Sequence, residues 1–377
     1  MKIVCDNKIP FLKGVLEPYA EVVYLPGKDT TAEVVRDADA IITRTRTICN
    51  EALLKGSKVK VIATATIGFD HIDTAWCEAN DIVWENAPGC NSWSVKQYIA
   101  SVLVTLAKKH SLRLDNLTLG VVGVGNVGSK VAEVASLLGM KVLLNDPPRA
   151  RKEGNTQPSF VTLDTIIEQA DIITLHVPLS KSGDDATWHL FDAQRLAMLG
   201  PRQLLINSSR GPVVDNKALK QALKRQALKG AVLDVWEGEP DLDVELVSLL
   251  DIATPHIAGY SADGKANGTS MSVQTVAKCL GLPLGRWKAS GVPRPKQPLT
   301  FAIDGTGKSK QDILSEAILY TYDVTTDSDT LRASPGTFEA QRGDYPIRRE
   351  PTAYTVELTN VAEETAETLR KIGFQTK

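Results

Sequence analysis

Short apolar runs rich in Val and Ile recur along this 377-residue chain, and nearly every one is followed by a stretch with helical periodicity. The first five are "KIVC" (2–5), "AEVVYL" (20–25), "DAIIT" (39–43), "VKVIATA" (59–65) and "DIVWEN" (81–86). Apolar runs of this length separated by helices are what a parallel sheet buried on both faces requires. The spacing predicts a first α/β domain over 1–92. A helix within 261–280 is expected to return to it, giving a flavodoxin-like substrate domain of 1–92 and 261–285.

"SWSVKQYIASVLVTLAKK" (92–109) repeats apolar residues at helical spacing behind a Ser suited to an N-cap, so a long linking helix is expected. Strand candidates then follow within 117–128, 140–146, 170–178, 202–209, 230–235 and 251–255. Parallel strands alternating with helices predict a Rossmann domain over 93–260. A Pro- and Gly-rich connector over 281–298 leads to a small α+β domain, 286–377. It is expected to hold a helix over 310–324, a strand over 352–358 and an amphipathic helix over 360–373. The fold class is therefore α/β, with two doubly wound parallel-sheet domains and a small α+β C-terminal domain.

Composition narrows the chemistry. With 43% hydrophobic residues, the chain exceeds a single ordinary core. A formal charge of -2 leaves no excess of cations to neutralise a phosphate backbone, so no nucleic-acid partner is expected. The five cysteines are scattered and never spaced as CxxC, which argues against a disulfide framework and against a metal knuckle. "MKIVCDNKIP" meets charge and proline too early for a signal peptide, and no run reaches the roughly 18 apolar residues of a membrane span. Small-molecule chemistry in the cytoplasm is the expectation.

"GVGNVG" places Gly123, Gly125 and Gly128 between an apolar strand and a helix. In that context the backbone N–H groups and the helix dipole receive a pyrophosphate. Asp146 ends the next strand, where a carboxylate accepts from both ribose hydroxyls and repels a 2′-phosphate, favouring NAD. Arg149 and Arg151 nearby would instead welcome NADP, which keeps that alternative open.

Oxidation of an alcohol needs a base for the hydroxyl proton and a cation to orient the substrate. "NSSRGPVVD" sets Arg210 beyond one strand, "DVWEGEP" sets Glu239 beyond the next, and "TPHIAGY" sets His256 beyond the last. In a parallel sheet these ends open onto one crevice. An acid against the imidazole fixes its tautomer. Of the other histidines, His71 is expected to pack or cap, His176 to close a strand, and His110 and His189 to lie at the surface.

"GVGNVG", "HVPL", "NSSRGPVVDNKAL", "VLDVWEGEP" and "TPHIAGYS" resemble the D-isomer-specific 2-hydroxyacid dehydrogenases over about residues 1–285. "TATIGFDHID", "APGCN" and "DPPRA", with a C-terminal module of this length, are most similar to members that oxidise 4-phospho-D-erythronate with NAD in vitamin B6 synthesis. The resemblance implies that Arg210 binds the carboxylate, His256 exchanges the proton and Glu239 orients His256. It implies substrate contacts at Thr45, Thr66 and Tyr260. It implies cofactor contacts at Asn126, Val127, Asp146, Val177, Ser208, Ser209, Arg210, Asp234 and Gly259, and a homodimer. Where near relatives often read "HTPL", this chain has Val177, so only a backbone contact is expected there.

A phosphorylated substrate also needs cations at its far end. Arg44 and Arg46 of "TRTRT" are the first candidates. Arg342, Arg348 and Arg349 are either solvated or reach in from a partner subunit. Two alternatives stay open: a 3-phosphoglycerate dehydrogenase, and an NAD-sensing binding protein like the corepressor relatives.

Overall fold

A computed structural model describes residues 1–154 and 159–377. The chain divides into two compact units, residues 1–91 with 261–294 and residues 92–260 with 295–377.

The first unit holds five parallel strands: β1 (Lys2–Asp6), β2 (Glu21–Leu25), β3 (Ala40–Thr43), β4 (Val61–Thr64) and β5 (Val83–Glu85). Their order is β2-β1-β3-β4-β5, the flavodoxin-like arrangement. β3 and β4 are buried along their whole length, as their unbroken apolar runs require. The helix Ala262–Leu280 does return to this sheet. Its Val273 and Val276 join Ile3, Cys5, Ile42 and Val61 in one cluster.

The second unit carries a six-stranded parallel sheet of β6 (Thr118–Val122), β7 (Lys141–Asn145), β8 (Ile172–Leu175), β9 (Leu204–Asn207), β10 (Gly230–Leu233) and β11 (Ile252–Ala253). The order is β11-β10-β9-β8-β6-β7. The chain reverses direction of travel between β6 and β8, the switch point where ligands bind in such sheets. Among the described residues, the sheet continues beyond β7 as a single parallel bridge between Leu144 and Phe160. The linking helix Ser92–His110 packs in this unit, with Tyr98, Ile99, Val102 and Leu103 fully buried.

The C-terminal segment differs from its sequence reading. It forms a three-stranded parallel sheet, β12 (Thr300–Asp304), β13 (Thr355–Thr359) and β14 (Gln375–Thr376), in that order. The single helix expected over 310–324 is two, Lys310–Thr321 and Val324–Ala333. Asp323 separates them, because its side chain accepts the Thr325 N–H and caps the second helix. That helix covers the edge of the six-stranded sheet: Ser328 Oγ accepts the Ala253 N–H of β11 at 3.1 Å. Arg332 donates to the carbonyls of Val247 and Leu250. Phe301, Leu314 and Tyr354 share a hydrophobic cluster with Leu204, Val232 and Ile252, so residues 295–377 and the dinucleotide sheet have one core.

Candidate active site

The glycine loop follows β6 as the sequence predicts. Gly123 takes φ 86°, and a Cβ there would meet the His176 carbonyl oxygen at 2.6 Å. Gly125 faces open space: a Cβ at this position would meet nothing within 4 Å. That is where a backbone must let a pyrophosphate approach. The helix Gly128–Leu137 opens there without a side-chain cap, and with the Ser129 N–H on the Gly125 carbonyl at 3.1 Å its N-terminus points its dipole toward where an anion binds. Asn126 is exposed, and Val127 and Val177 are half-buried.

Asp146 stands at the end of β7. One oxygen accepts the Val124 N–H at 2.8 Å and the other accepts the Arg149 N–H at 3.1 Å. It therefore ties the glycine loop to the adjacent turn and still offers lone pairs outward. Arg149 is not free for a 2′-phosphate. Its guanidinium forks onto Glu153 at 2.7 and 3.0 Å, and Arg151 is paired with Asp185. These residues fit NAD. The buried Ser208 Oγ, which has no hydrogen-bond partner among the described residues, adds an unsatisfied hydroxyl to the same set.

The segment after β9 is built on Asn207, which is fully buried. Its amide oxygen accepts the Ser209 N–H at 3.1 Å and the Ser209 hydroxyl at 2.9 Å, and its NH2 donates to the Arg210 carbonyl at 2.9 Å. The Ser209 hydroxyl, expected to line the cofactor, is thus turned inward. Arg210 Nη1 donates to the Ser209 carbonyl at 2.8 Å, which sets the direction of a half-buried guanidinium.

The three carboxylates of "DVWEGEP" have three separate tasks. Glu239 Oε2 lies 2.8 Å from His256 Nδ1, and its Oε1 accepts the Trp236 N–H at 2.9 Å. Burial works against the Glu239 charge, yet the His256 contact, the Trp236 N–H and the Arg342 charge hold its pKa below the usual range. An ionised Glu239 makes Nδ1 the protonated nitrogen and leaves Nε2 as an acceptor. The His256 side chain remains 34% exposed, enough for a substrate to reach that nitrogen.

Glu237 instead accepts from His189 at 2.7 Å and from the Asn216 N–H at 2.9 Å. His189, expected at the surface, is half-buried by this pairing, and His110 is half-buried against Asp251 at 3.1 Å. Among the described residues, His189, Asp215 and Glu237 form the one group of possible metal ligands, with atoms within 4.8 Å. Asp234, expected against the cofactor, is buried beneath the histidine loop with 1% of its surface exposed. It accepts from the Thr254 hydroxyl at 2.7 Å and from the N–H groups of Ile257 and Ala258 at 2.8 and 3.0 Å. Gly259 is half-buried at the end of that loop.

Two tail arginines take part from within the same chain, which corrects the expectation that they are solvated or come from a partner. Arg342 Nη2 donates to the Tyr260 hydroxyl at 3.1 Å. Arg348 is buried and donates to the carbonyls of Ile257 and Ala258. Neither its burial nor its partners leave it available to a substrate phosphate. Arg349 is half-buried, and its carbonyl accepts from Gln97 at 2.9 Å. No motif marked these contacts, because a buried arginine in "PIRRE" is indistinguishable from a surface charge until its partners are known.

In the first unit, Thr45 and Arg46 are exposed beyond β3, and Arg44 is half-buried. The Thr66 hydroxyl beyond β4 donates to the Gly68 carbonyl at 2.8 Å.

Residues 93–258 match the family described as the D-isomer specific 2-hydroxyacid dehydrogenase, NAD binding domain. Residues 295–373 match a domain of unknown function, DUF3410. Among solved structures, D-lactate dehydrogenase from Aquifex aeolicus, complexed with NAD and lactic acid, aligns with a TM-score of 0.63 at 27% identity, covering 74% of this chain and 96% of that one. The NAD-bound 3-phosphoglycerate dehydrogenase of Entamoeba histolytica aligns with a TM-score of 0.63 at 25% identity, covering 78% and 99%. The glycine loop, the acid–imidazole pair and these likenesses define an NAD-dependent dehydrogenase of hydroxy acids. Over its length the chain is 51% identical to the erythronate-4-phosphate dehydrogenase of Bacteroides fragilis, covering 95% of this chain and 100% of the relative. The corresponding enzyme of Porphyromonas gingivalis is 42% identical, covering 99% and 100%. The chain belongs to the erythronate-4-phosphate dehydrogenase family.

Proposed function

We propose that this protein oxidises 4-phospho-D-erythronate at C2 to (R)-3-hydroxy-2-oxo-4-phosphooxybutanoate, as a step of vitamin B6 synthesis. The observation that carries the reading is the 2.8 Å contact between Glu239 and His256 Nδ1, on strand ends next to the one bearing Arg210. A bound NAD would supply the acceptor for the hydride that leaves C2. The glycine loop and the N-terminus of Gly128–Leu137 would hold its pyrophosphate, and Asp146 its ribose hydroxyls. Arg210 grips the substrate carboxylate with its planar fork. His256 Nε2 takes the C2 hydroxyl proton, and Glu239 stabilises the imidazolium that results.

Arg44, Arg46, Thr45, Thr66 and Tyr260 are proposed substrate contacts, with Arg342 added on the strength of its bond to Tyr260. Among the described residues no helix is long and apolar enough to cross a membrane. Residence in the cytoplasm and assembly as a homodimer belong to the same proposal, and light scattering of the purified protein tests the second.

Turnover with 4-phospho-D-erythronate and 3-phospho-D-glycerate, followed by nicotinamide fluorescence, tests the substrate. The four-carbon acid is expected to give the larger kcat/KM. Preference for the three-carbon acid would make the protein a 3-phosphoglycerate dehydrogenase, and binding of NAD without turnover of either would favour a sensing role.

A further inference from the structure

His256 sits at φ 56°, in the left-handed region. A residue with a side chain adopts this conformation at an energetic cost, and it stays there only where its surroundings leave no alternative. The surroundings are specific. The His256 N–H donates to the Asp234 carbonyl at 2.7 Å. The next two N–H groups, of Ile257 and Ala258, donate to the Asp234 carboxylate. The carbonyls of the same two residues accept from Arg348 Nη2, at 3.2 and 2.6 Å.

The two residues that follow the histidine are therefore held between a buried carboxylate and a buried guanidinium. The buried guanidinium is accompanied by the Tyr345 and Tyr322 rings and by the charges of Asp327 and Asp234, which makes its burial tenable. Arg348 is itself fixed by the C-terminal module. Its guanidinium lies 4.4 Å from the centre of the Tyr322 ring, and the hydroxyls of Tyr322 and Tyr345 both donate to Asp327, at 2.8 and 2.7 Å.

We propose that Arg348 is a positioning residue for His256, so that the segment matching a domain of unknown function serves the chemistry by holding the histidine loop. The proposal rests on the proton-transfer role assigned to His256 above. Its physical content is that loss of the two-carbonyl grip lets the imidazole drift from the Glu239 carboxylate. A displacement of about 1 Å at a reacting group lowers a rate by about 10²-fold.

The test uses the full-length protein with Arg348→Lys and Arg348→Met. The lysine variant keeps the buried charge, but its shorter side chain draws the donor back from the two carbonyls that one guanidinium nitrogen, Nη2, now holds. It is expected to unfold near the wild-type temperature, to bind NAD with unchanged affinity and to keep its KM for the acid. Its kcat is expected to fall roughly 10- to 100-fold, and the methionine variant is expected to lose more. Should Arg348→Met fail to fold, the lysine variant carries the test alone.

A second readout is independent of turnover. The chain has only five histidines, so the His256 ring can be followed by 15N NMR as pH is varied. Arg348→Lys is expected to move its ring 15N chemical shifts. A folded lysine variant with wild-type kcat and an unmoved His256 resonance would overturn the proposal. Failure of the wild-type protein to oxidise any phosphorylated 2-hydroxy acid would overturn the functional reading instead, while the resonance would still decide whether Arg348 sets the ring.

Discussion

A side-chain carbon on Gly128 would stand 1.9 Å from the Gly123 carbonyl oxygen, so the dinucleotide turn closes only with glycine at both positions. Gly125, between them, meets nothing. Gly128→Ala is thus expected to lower the melting temperature sharply, since the colliding atom belongs to backbone that cannot step aside. Gly125→Ala should melt like the wild type and weaken NAD binding. A thermal melt paired with an NAD titration separates the two; equal effects of both substitutions on folding would contradict the geometry.

Removing the imidazole in His256→Asn should lower kcat by about 10²–10⁴-fold, the usual contribution of a positioned base. Glu239→Gln should lower it by a smaller factor, because the imidazole remains but its Nδ1 no longer faces an ion. Steady-state rates at saturating NAD check both. A Glu239→Gln variant with the wild-type rate would remove the acid from the mechanism.

Arg210→Lys keeps the charge and loses the fork that grips a carboxylate through two parallel bonds. The expected fall in kcat/KM for the hydroxy acid is about 10²-fold, or roughly 2.7 kcal/mol. The comparison to make is with a substrate in which an amide replaces the carboxylate, for which wild type and variant should differ little.

His176 connects pH to stability. Burial pushes its imidazole down to about 3. The unfolded chain takes up this proton near 6.5, whereas the folded chain refuses it until about 3. Between those values the unfolded state binds more protons, so the folded state loses stability as pH falls. Stability from this group is complete above the unfolded value. His176→Gln can keep the bond to the Thr174 hydroxyl and has no proton to gain. Its urea midpoint should therefore drop less between pH 7 and pH 5 than that of the wild type, and an identical drop would assign the acid sensitivity elsewhere.

The sheets could be read from the sequence because each buried parallel strand is an apolar run of its own, as in "AIIT" and "LLIN". β12 escaped notice for the opposite reason. Its burial alternates residue by residue, and it follows a connector that carries no period. β14 is two residues long, too short for any pattern. The site was legible where chemistry coincides with a strand end, as at Arg210, Glu239 and His256. It was not legible where a residue acts through contacts far along the chain. Asn207 and Arg348 arrange backbone rather than face a ligand, and Asp234 in the same motif as Glu239 turned out to lie beneath the loop.

The helix Ala262–Leu280 has a consequence for how the protein is made. It packs on the sheet of the first unit, yet it is synthesised only after the whole dinucleotide sheet. Domains ordinarily fold in order as they leave the ribosome. Here the N-terminal sheet must wait, with one apolar face uncovered, until most of the polypeptide has emerged, and a nascent chain stalled before residue 280 is the form of this protein most exposed to chaperones and proteases.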